Sequence, residues 1–111
     1  MFHMLTCFNL KEGVSMPDFE IALAGFDSHM REVGLVQSTG PIGERQDDTP
    51  MDTDAERDHR YFFITTFRDR TQCDDAYAYL KAHEEPGHSI HDGVNARVEN
   101  PIFICWQDLH A

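Results

Sequence analysis

Histidines are the side chains in this sequence with the clearest capacity for chemistry. The chain carries seven of them among 111 residues, and three, His83, His88 and His91, fall close together. Because imidazole gains or loses a proton near neutral pH, such a cluster suits general acid–base catalysis. With Glu84 and Glu85 beside it, the same cluster could supply ligands to zinc, nickel or iron, although no named zinc motif has this spacing. The alternative without chemistry is a polar helix end, where a cationic His83 suits the helix dipole.

An acidic segment, residues 47–58, is the second feature that could bind a ligand. It contains six acidic residues against one arginine and almost no apolar side chain. Its Asp52, Asp54 and Glu56 resemble part of a calcium-binding loop, but the central glycine and the distal glutamate of such loops are missing. We therefore expect an exposed, mobile loop that joins two strands.

The overall charge narrows the range of partners. Nine Lys and Arg residues stand against twenty Asp and Glu, which gives a formal net charge of -11. Nucleic acids and anionic membranes need a basic surface, so neither is expected as a partner. No apolar run approaches the roughly 18 residues of a membrane-spanning helix. The cysteines, Cys7, Cys73 and Cys105, match no metal-ligand spacing and indicate reduced thiols in a cytoplasmic protein.

The elements that position these side chains follow from the spacing of apolar residues. One helix is expected to begin after Ser15, as its N-cap, and to end at Gly34. A second is capped by Thr71 and ends before Pro86, and residues 88–94 add one short helical turn. Runs rich in apolar and β-branched residues predict strands at 2–10, 35–46, 60–68 and 98–109.

This order of elements is strand, helix, strand, strand, helix, strand. It predicts an α+β, ferredoxin-like split βαβ sandwich over residues 1–111 as a single domain. The antiparallel sheet would have four strands in the order 4-1-3-2, with two helices on one face. The second and fourth strands would then be the edges. Both contain proline, which is tolerated at an edge because it donates no ladder hydrogen bond.

The face of the sheet without helices should also be apolar. Side chains alternate along a strand, so the apolar strands present large residues on both faces. An exposed patch of this kind is larger than monomers usually tolerate. We therefore expect a homodimer, formed by face-to-face packing of two sheets. In the first strand, Leu5 and Cys7 lie on the face opposite Phe2, Met4 and Phe8. In the third strand, Phe62 and Ile64 lie opposite Tyr61, Phe63 and Phe67. In the fourth strand, Ile102, Ile104 and Trp106 lie opposite Phe103 and Cys105.

At this point the chain resembles the dimeric α+β barrel proteins, and most closely their stress-responsive and small polyketide cyclase branch. The stretch from Tyr79 to His88 (YLKAHEEPGH) is similar to the Tyr…His-Pro-x-His stretch that ends the second helix in that branch, with two more residues between the histidines. The start of the chain, HMLTCF from His3, is similar to its first strand. The segment from residue 40 to 63 also resembles bacterial domains of unknown function.

The resemblance implies residue roles and a class of ligand. His88 would act as a base with His83 nearby, Tyr79 would stabilise a developing enolate, and His3 would approach from the sheet. The ligand would be a small, flat, largely apolar molecule of aromatic, polyketide-like or fatty-acid-like character, transformed without a cofactor. The aromatic residues expected to line its pocket are Phe63, Phe67, Tyr77 and Trp106.

Two other functions remain open from the sequence. The first is a stress-associated, ligand-binding dimer without catalysis, which needs only apolar walls and one polar anchor. The second is a metal-dependent protein that uses His83, His88 and His91. Fold alone does not decide among the three, because one fold carries many functions.

Overall fold

The computed structural model describes residues 1–110, and these contain one antiparallel sheet and three helices. The sheet order is β2-β4-β1-β5, and β3 pairs with β4 as well. Counted by the four predicted strands this is 4-1-3-2, as expected. The second predicted strand forms two short pieces, so the sheet has five strands. The elements are β1 (Phe2–Leu10), α1 (Met16–Glu32), β2 (Ser38–Thr39), β3 (Gly43–Glu44), β4 (Tyr61–Phe67), α2 (Arg70–Lys81), α3 (Gly87–Asn95) and β5 (Val98–Gln107).

Helix α1 forms where its caps and apolar spacing predict it. The Ser15 hydroxyl accepts a hydrogen bond from the Asp18 N–H at 3.2 Å. After the last turn Gly34 takes a φ of +77°, a left-handed conformation that costs little without a Cβ. The helix buries Phe19 and Met30 almost completely against the sheet. None of the helices within residues 1–110 is long and apolar enough to cross a membrane.

Helix α2 begins earlier than the sequence indicates. Asp69, and not Thr71, is the N-cap, since its carboxylate accepts the Gln72 N–H at 2.8 Å. That hydrogen bond is the main cause of the lowered pKa of Asp69. The buried Gln72 side chain then accepts from the Arg68 N–H at 2.6 Å and donates to the Gly34 carbonyl at 3.0 Å. Gln72 therefore ties the start of α2 to the end of α1.

Helix α3 is longer than the single turn expected at residues 88–94. It covers nine residues, Gly87–Asn95, and places Val94 in the core beside Phe8 and Phe19. Two of its residues are glycines, which have low helix propensity, so packing must hold this helix in place.

The core lies between the helices and one face of the sheet, called here the helix face. Strand pairing brings alternate residues of β1 and β4 onto it, with Phe2 opposite Phe67 and Thr6 opposite Phe63. The rings of Phe8 and Phe19 lie 4.7 Å apart at its centre. Phe63 belongs to this core and does not reach the pocket for which it was predicted.

Strand β5 contains a bulge opposite the end of β1. Cys7 pairs with Ile102 and Asn9 with Glu99, so β5 uses one residue more than β1 over this stretch. Asn100, within the bulge, has a left-handed φ of +52°. The backbone carbonyl of Asn100 still has a hydrogen-bond partner, because the buried His59 Nε2 donates to its oxygen at 2.7 Å.

The opposite side of the sheet, called here the free face, has no helix over it. It has the alternation that the sequence predicts, and four of its large apolar residues are between 37% and 44% exposed. The free face consists of His3, Leu5, Cys7, Phe62, Ile64, Thr66, Ile102, Ile104 and Trp106.

The acidic segment 47–58 is exposed, as expected, but it is bound to the protein through Arg45. The Arg45 guanidinium makes two hydrogen bonds of 2.8 Å to the Asp52 carboxylate and also donates to the carbonyls of Asp54 and Arg57. Cys7, at one end of the free face, is only 2% exposed, and Arg57 and Asp54 lie close enough to act on its charge. The segment is therefore an anchored loop that covers one end of the free face.

The seating of α3 on α2 can be tested with two glycines of the same helix. A Cβ at Gly87 would lie 2.6 to 2.9 Å from three atoms of Tyr79, whose hydroxyl is held by His29 Nε2 at 2.7 Å. We expect Gly87→Ala to lower the free energy of unfolding by about 1–3 kcal/mol through overpacking.

The control is Gly93→Ala, where the Cβ would meet only Arg97 Nη1, at an ordinary 3.7 Å. This variant should gain about 0.5–1 kcal/mol from helix propensity. Urea denaturation measures both. A gain in stability for Gly87→Ala as well would contradict the close packing of α3 against Tyr79.

Candidate functional site

A groove on the helix face is the candidate site. It lies between α2, α3 and the β5 side of the sheet, because the helices do not cover this part of the helix face, and its volume is about 860 Å³. Cavities of this size accommodate drug-sized molecules. The apolar and sulfur-containing part of its lining consists of Met4, Phe67, Cys73, Ala76, Tyr77, Leu80, Val98, Pro101, Phe103 and Cys105, and the polar part of Lys81, His83, His88, His91, Asp92 and Asn95.

The three clustered histidines all line this groove. His83, after α2, has a left-handed φ of +58°, and its ring stacks on that of His88 with centroids 4.7 Å apart. His88 Nε2 lies 3.3 Å from the Asp92 carboxylate, one turn further along α3. A carboxylate at this distance can accept a hydrogen bond from the ring N–H, which orients the ring and leaves Nδ1 free as an acceptor. The arrangement provides a group that could accept a proton from a molecule in the groove.

His91 is the histidine with a shifted pKa. It packs against the Phe26 ring at 5.4 Å and contacts the Asn95 amide. Burial lowers the pKa of His91, and the neighbouring His88 lowers it further, while Asp92 opposes the shift. The ring is therefore mainly neutral at pH 7, the form in which one nitrogen can accept a proton. From the sequence, His91 was predicted as a member of the histidine cluster, suited to acid–base chemistry or to metal binding, and no individual catalytic role was assigned to it.

The histidines do not form a metal site. Within residues 1–110 no group of three or more His, Cys, Asp or Glu side chains is placed to hold a metal ion. Glu85 accepts a hydrogen bond from the Ser89 hydroxyl at 2.9 Å. The carboxylate that lies beside His88 belongs to Asp92, and not to Glu84 or Glu85. The metal-dependent alternative is thus not supported by the geometry.

Tyr79 does not face the groove, although the resemblance pairs it with His88. Its hydroxyl is hydrogen-bonded to His29 Nε2 of α1 at 2.7 Å, and its ring packs on Gly87. Tyr79 thus connects α1, α2 and α3. Tyr77, two residues earlier, is 64% exposed and lines the groove, as does Phe67.

His3 and Trp106 lie on the free face, so the sheet separates them from the groove. Their rings stack with centroids 5.2 Å apart. His3 Nε2 lies 3.0 Å from the Asp108 carboxylate, and Nδ1 lies 3.2 Å from the Thr66 hydroxyl. The structure therefore divides the predicted site residues between two faces, with His83 and His88 on one and His3 on the other.

Several groove residues were not predicted from the sequence. Met4 and Phe103 were assigned only to sheet faces, and Lys81 and Asn95 were not considered. The alternation of β1 and β5 could have identified Met4 and Phe103 as neighbours on the helix face. Burial raises the pKa of the Cys73 and Cys105 thiols, so both are protonated at neutral pH.

Comparison with solved structures shows the same arrangement of elements in other proteins. A protein from Arabidopsis thaliana has a TM-score of 0.71 at 12% identity, over 100% of this chain and 98% of that chain. A dimeric ferredoxin-like protein of unknown function from Jannaschia sp. has a TM-score of 0.65 at 16% identity, over 96% and 98%. The chain has the ferredoxin-like fold. SnoaB, a cofactor-independent oxygenase from Streptomyces nogalater, has a TM-score of 0.67 at 11% identity, over 99% and 94%.

At these identities the similarity establishes the ferredoxin-like fold alone. No protein-family model matches the chain, and no curated protein matches it.

The lowered pKa of His91 predicts a pH dependence of stability. Below about pH 6.5, the ordinary histidine value, the unfolded chain binds a proton that the folded chain resists at His91. The free energy of unfolding therefore includes a contribution from the neutral His91 that is complete above that pH. This contribution is lost as the pH falls from the unfolded pKa through the lowered folded pKa. We expect His91→Gln to reduce the loss of stability between pH 7.5 and pH 5.

Urea denaturation at several pH values measures this difference, with His110→Gln as an exposed control outside the groove. Equal slopes against pH for the wild type and His91→Gln would show that His91 is not held in its neutral form.

Proposed function

We propose that the protein acts as a homodimer, with the two free faces packed together, and that each subunit binds one small, largely apolar molecule in its groove. The observation that carries this proposal is the large groove, with apolar walls and histidines along one end. The sheet thus has two uses, one on each face.

The homodimer is supported by the exposure of the free face. Ile64 of β4 and Ile102, Ile104 and Trp106 of β5 are each more than one-third exposed. Leu5 of β1 pairs with both Ile64 and Ile104, so it joins the two strands into one apolar surface. Such surfaces mark interaction sites in soluble proteins. A twofold axis would bring two copies of the same surface together. The similar Jannaschia protein is described as dimeric.

The ligand is inferred from the groove walls. Side chains such as Met4, Phe67, Leu80 and Phe103 provide apolar contact on the sheet and helix sides. A flat aromatic, polyketide-like or fatty-acid-like molecule would bury its surface against them. The three free cysteines agree with a reducing compartment, so we place this function in the cytoplasm.

Catalysis without a cofactor is a second candidate, favoured by the histidines. His91 is half-buried with a lowered pKa, and His88 Nε2 lies 3.3 Å from the Asp92 carboxylate, so the groove offers one proton acceptor and one oriented imidazole ring. The neutral His91 ring would accept a proton from an acidic C–H or O–H of the bound molecule and become an imidazolium, and the His88 ring, when Nδ1 is also protonated, would donate a hydrogen bond to the anion that forms. The similar SnoaB is a cofactor-independent oxygenase.

Two neighbouring residues of β5 separate the two parts of the proposal. Ile104 faces the free face and Phe103 faces the groove. We expect Ile104→Glu to weaken dimerisation at least tenfold, because it places a charge in the interface. Phe103→Glu should leave the dimer intact and weaken binding of 2-naphthol at least tenfold. Ile21→Glu, on an exposed position of α1, is the control for both.

Light scattering coupled to size-exclusion chromatography measures the oligomeric state, and isothermal titration calorimetry measures binding. A wild-type monomer would refute the dimer. Equal 2-naphthol affinity for Phe103→Glu and the wild type would refute the groove as the binding site.

A further inference from the structure

Most arginines in this acidic protein are already paired with carboxylates. Within residues 1–110, six arginines each lie within 4.0 Å of an aspartate carboxylate. The seventh, Arg97, donates to the Gly93 carbonyl at 2.6 Å. In that part of the chain Arg97 and the two lysines, Lys11 and Lys81, have no carboxylate within 4.0 Å, and only the lysines also lack a hydrogen bond to a backbone carbonyl. Because acidic residues outnumber basic ones by more than two to one, a lysine at a pocket that has no carboxylate partner indicates a candidate anion-binding position.

Lys81 lies at the groove. It is the last residue of α2, and its Nζ is 5.6 Å from the centroid of the Tyr77 ring, which also lines the groove. The contact with an aromatic face orients the ammonium group without neutralising it. His83, two residues further on, adds an imidazole N–H donor to the same lining.

The carboxylate in the groove lining does not neutralise Lys81. Asp92 is the acidic residue of that lining, and it lies 3.3 Å from His88 Nε2. Within residues 1–110 Lys81 is therefore a cation without a carboxylate within 4.0 Å, and it lies beside the apolar part of the groove lining. An ammonium group beside an apolar surface matches a ligand with one anionic end and an apolar body.

We propose that the groove binds amphipathic monocarboxylates, with the carboxylate at Lys81 and His83 and the apolar body along Phe67, Leu80 and Phe103. This inference rests on the proposed function, since it assigns the chemical class of the ligand in the same groove. It adds a head group that the apolar walls alone do not specify.

The test compares two probes of the same shape, 2-naphthoic acid and 2-naphthamide, by isothermal titration calorimetry at pH 7.5 and low salt. We expect the wild type to bind the acid at least tenfold more tightly than the amide. Lys81→Met keeps the apolar stem and removes the charge, so it should lose this preference while its affinity for the amide stays unchanged. Lys11→Met, which removes the other unpaired lysine outside the groove, should behave like the wild type.

The outcomes separate the inference from the function on which it rests. Equal binding of the acid and the amide, or an acid preference that survives Lys81→Met, would overturn the carboxylate site and leave a neutral apolar ligand. If neither probe binds, the proposed small-molecule function fails together with the inference. An equal loss in Lys11→Met and Lys81→Met would show a general effect of net charge and would also overturn the site.

Discussion

The structure depends on a sheet that is apolar on both faces while its helices cover only part of one. Side chains alternate along each strand, so Phe8 and Phe63 pack under the helices while Ile64 and Ile104 point the other way. The helices bury the centre of the helix face and leave its β5 side open, which creates the groove. They do not reach the free face at all. The candidate ligand site and the candidate interface thus have the same cause, which is that the three helices cover only part of the apolar surface of the sheet.

Much of this arrangement could be predicted because it follows from local periodicity. The phase of alternation in β1, β4 and β5 gave both faces correctly, and the interruption at Gly40 and Pro41 placed β2 and β3 at an edge. The Ser15 cap of α1 could also be predicted from the sequence, since this cap is a contact between residues three apart. The clustering of His83 and His88 at one site follows in the same way from their closeness in the sequence.

The parts that were not predicted are set by contacts between distant segments. Tyr79 was expected in the groove, but its hydroxyl meets His29, fifty residues earlier, and no local pattern encodes that pairing. Helix α3 was expected as a single turn because its glycines weaken the helical pattern, and it is packing of Val94 in the core that holds it. His3 was assigned to the groove through a resemblance, although its own alternation with Met4 already places it on the other face.

The bulge at Asn100 determines which half of β5 serves which face. Before it, even-numbered Val98 points toward the helices, and after it, odd-numbered Phe103 and Cys105 do. The extra residue thus reverses which of two successive side chains points toward the helices. Deleting one residue there would turn Ile102, Ile104 and Trp106 toward the helices and Phe103 outward, exchanging the two surfaces without changing the identity of any side chain in them. Variation in length at this point should therefore be far less tolerated in evolution than variation in residue type.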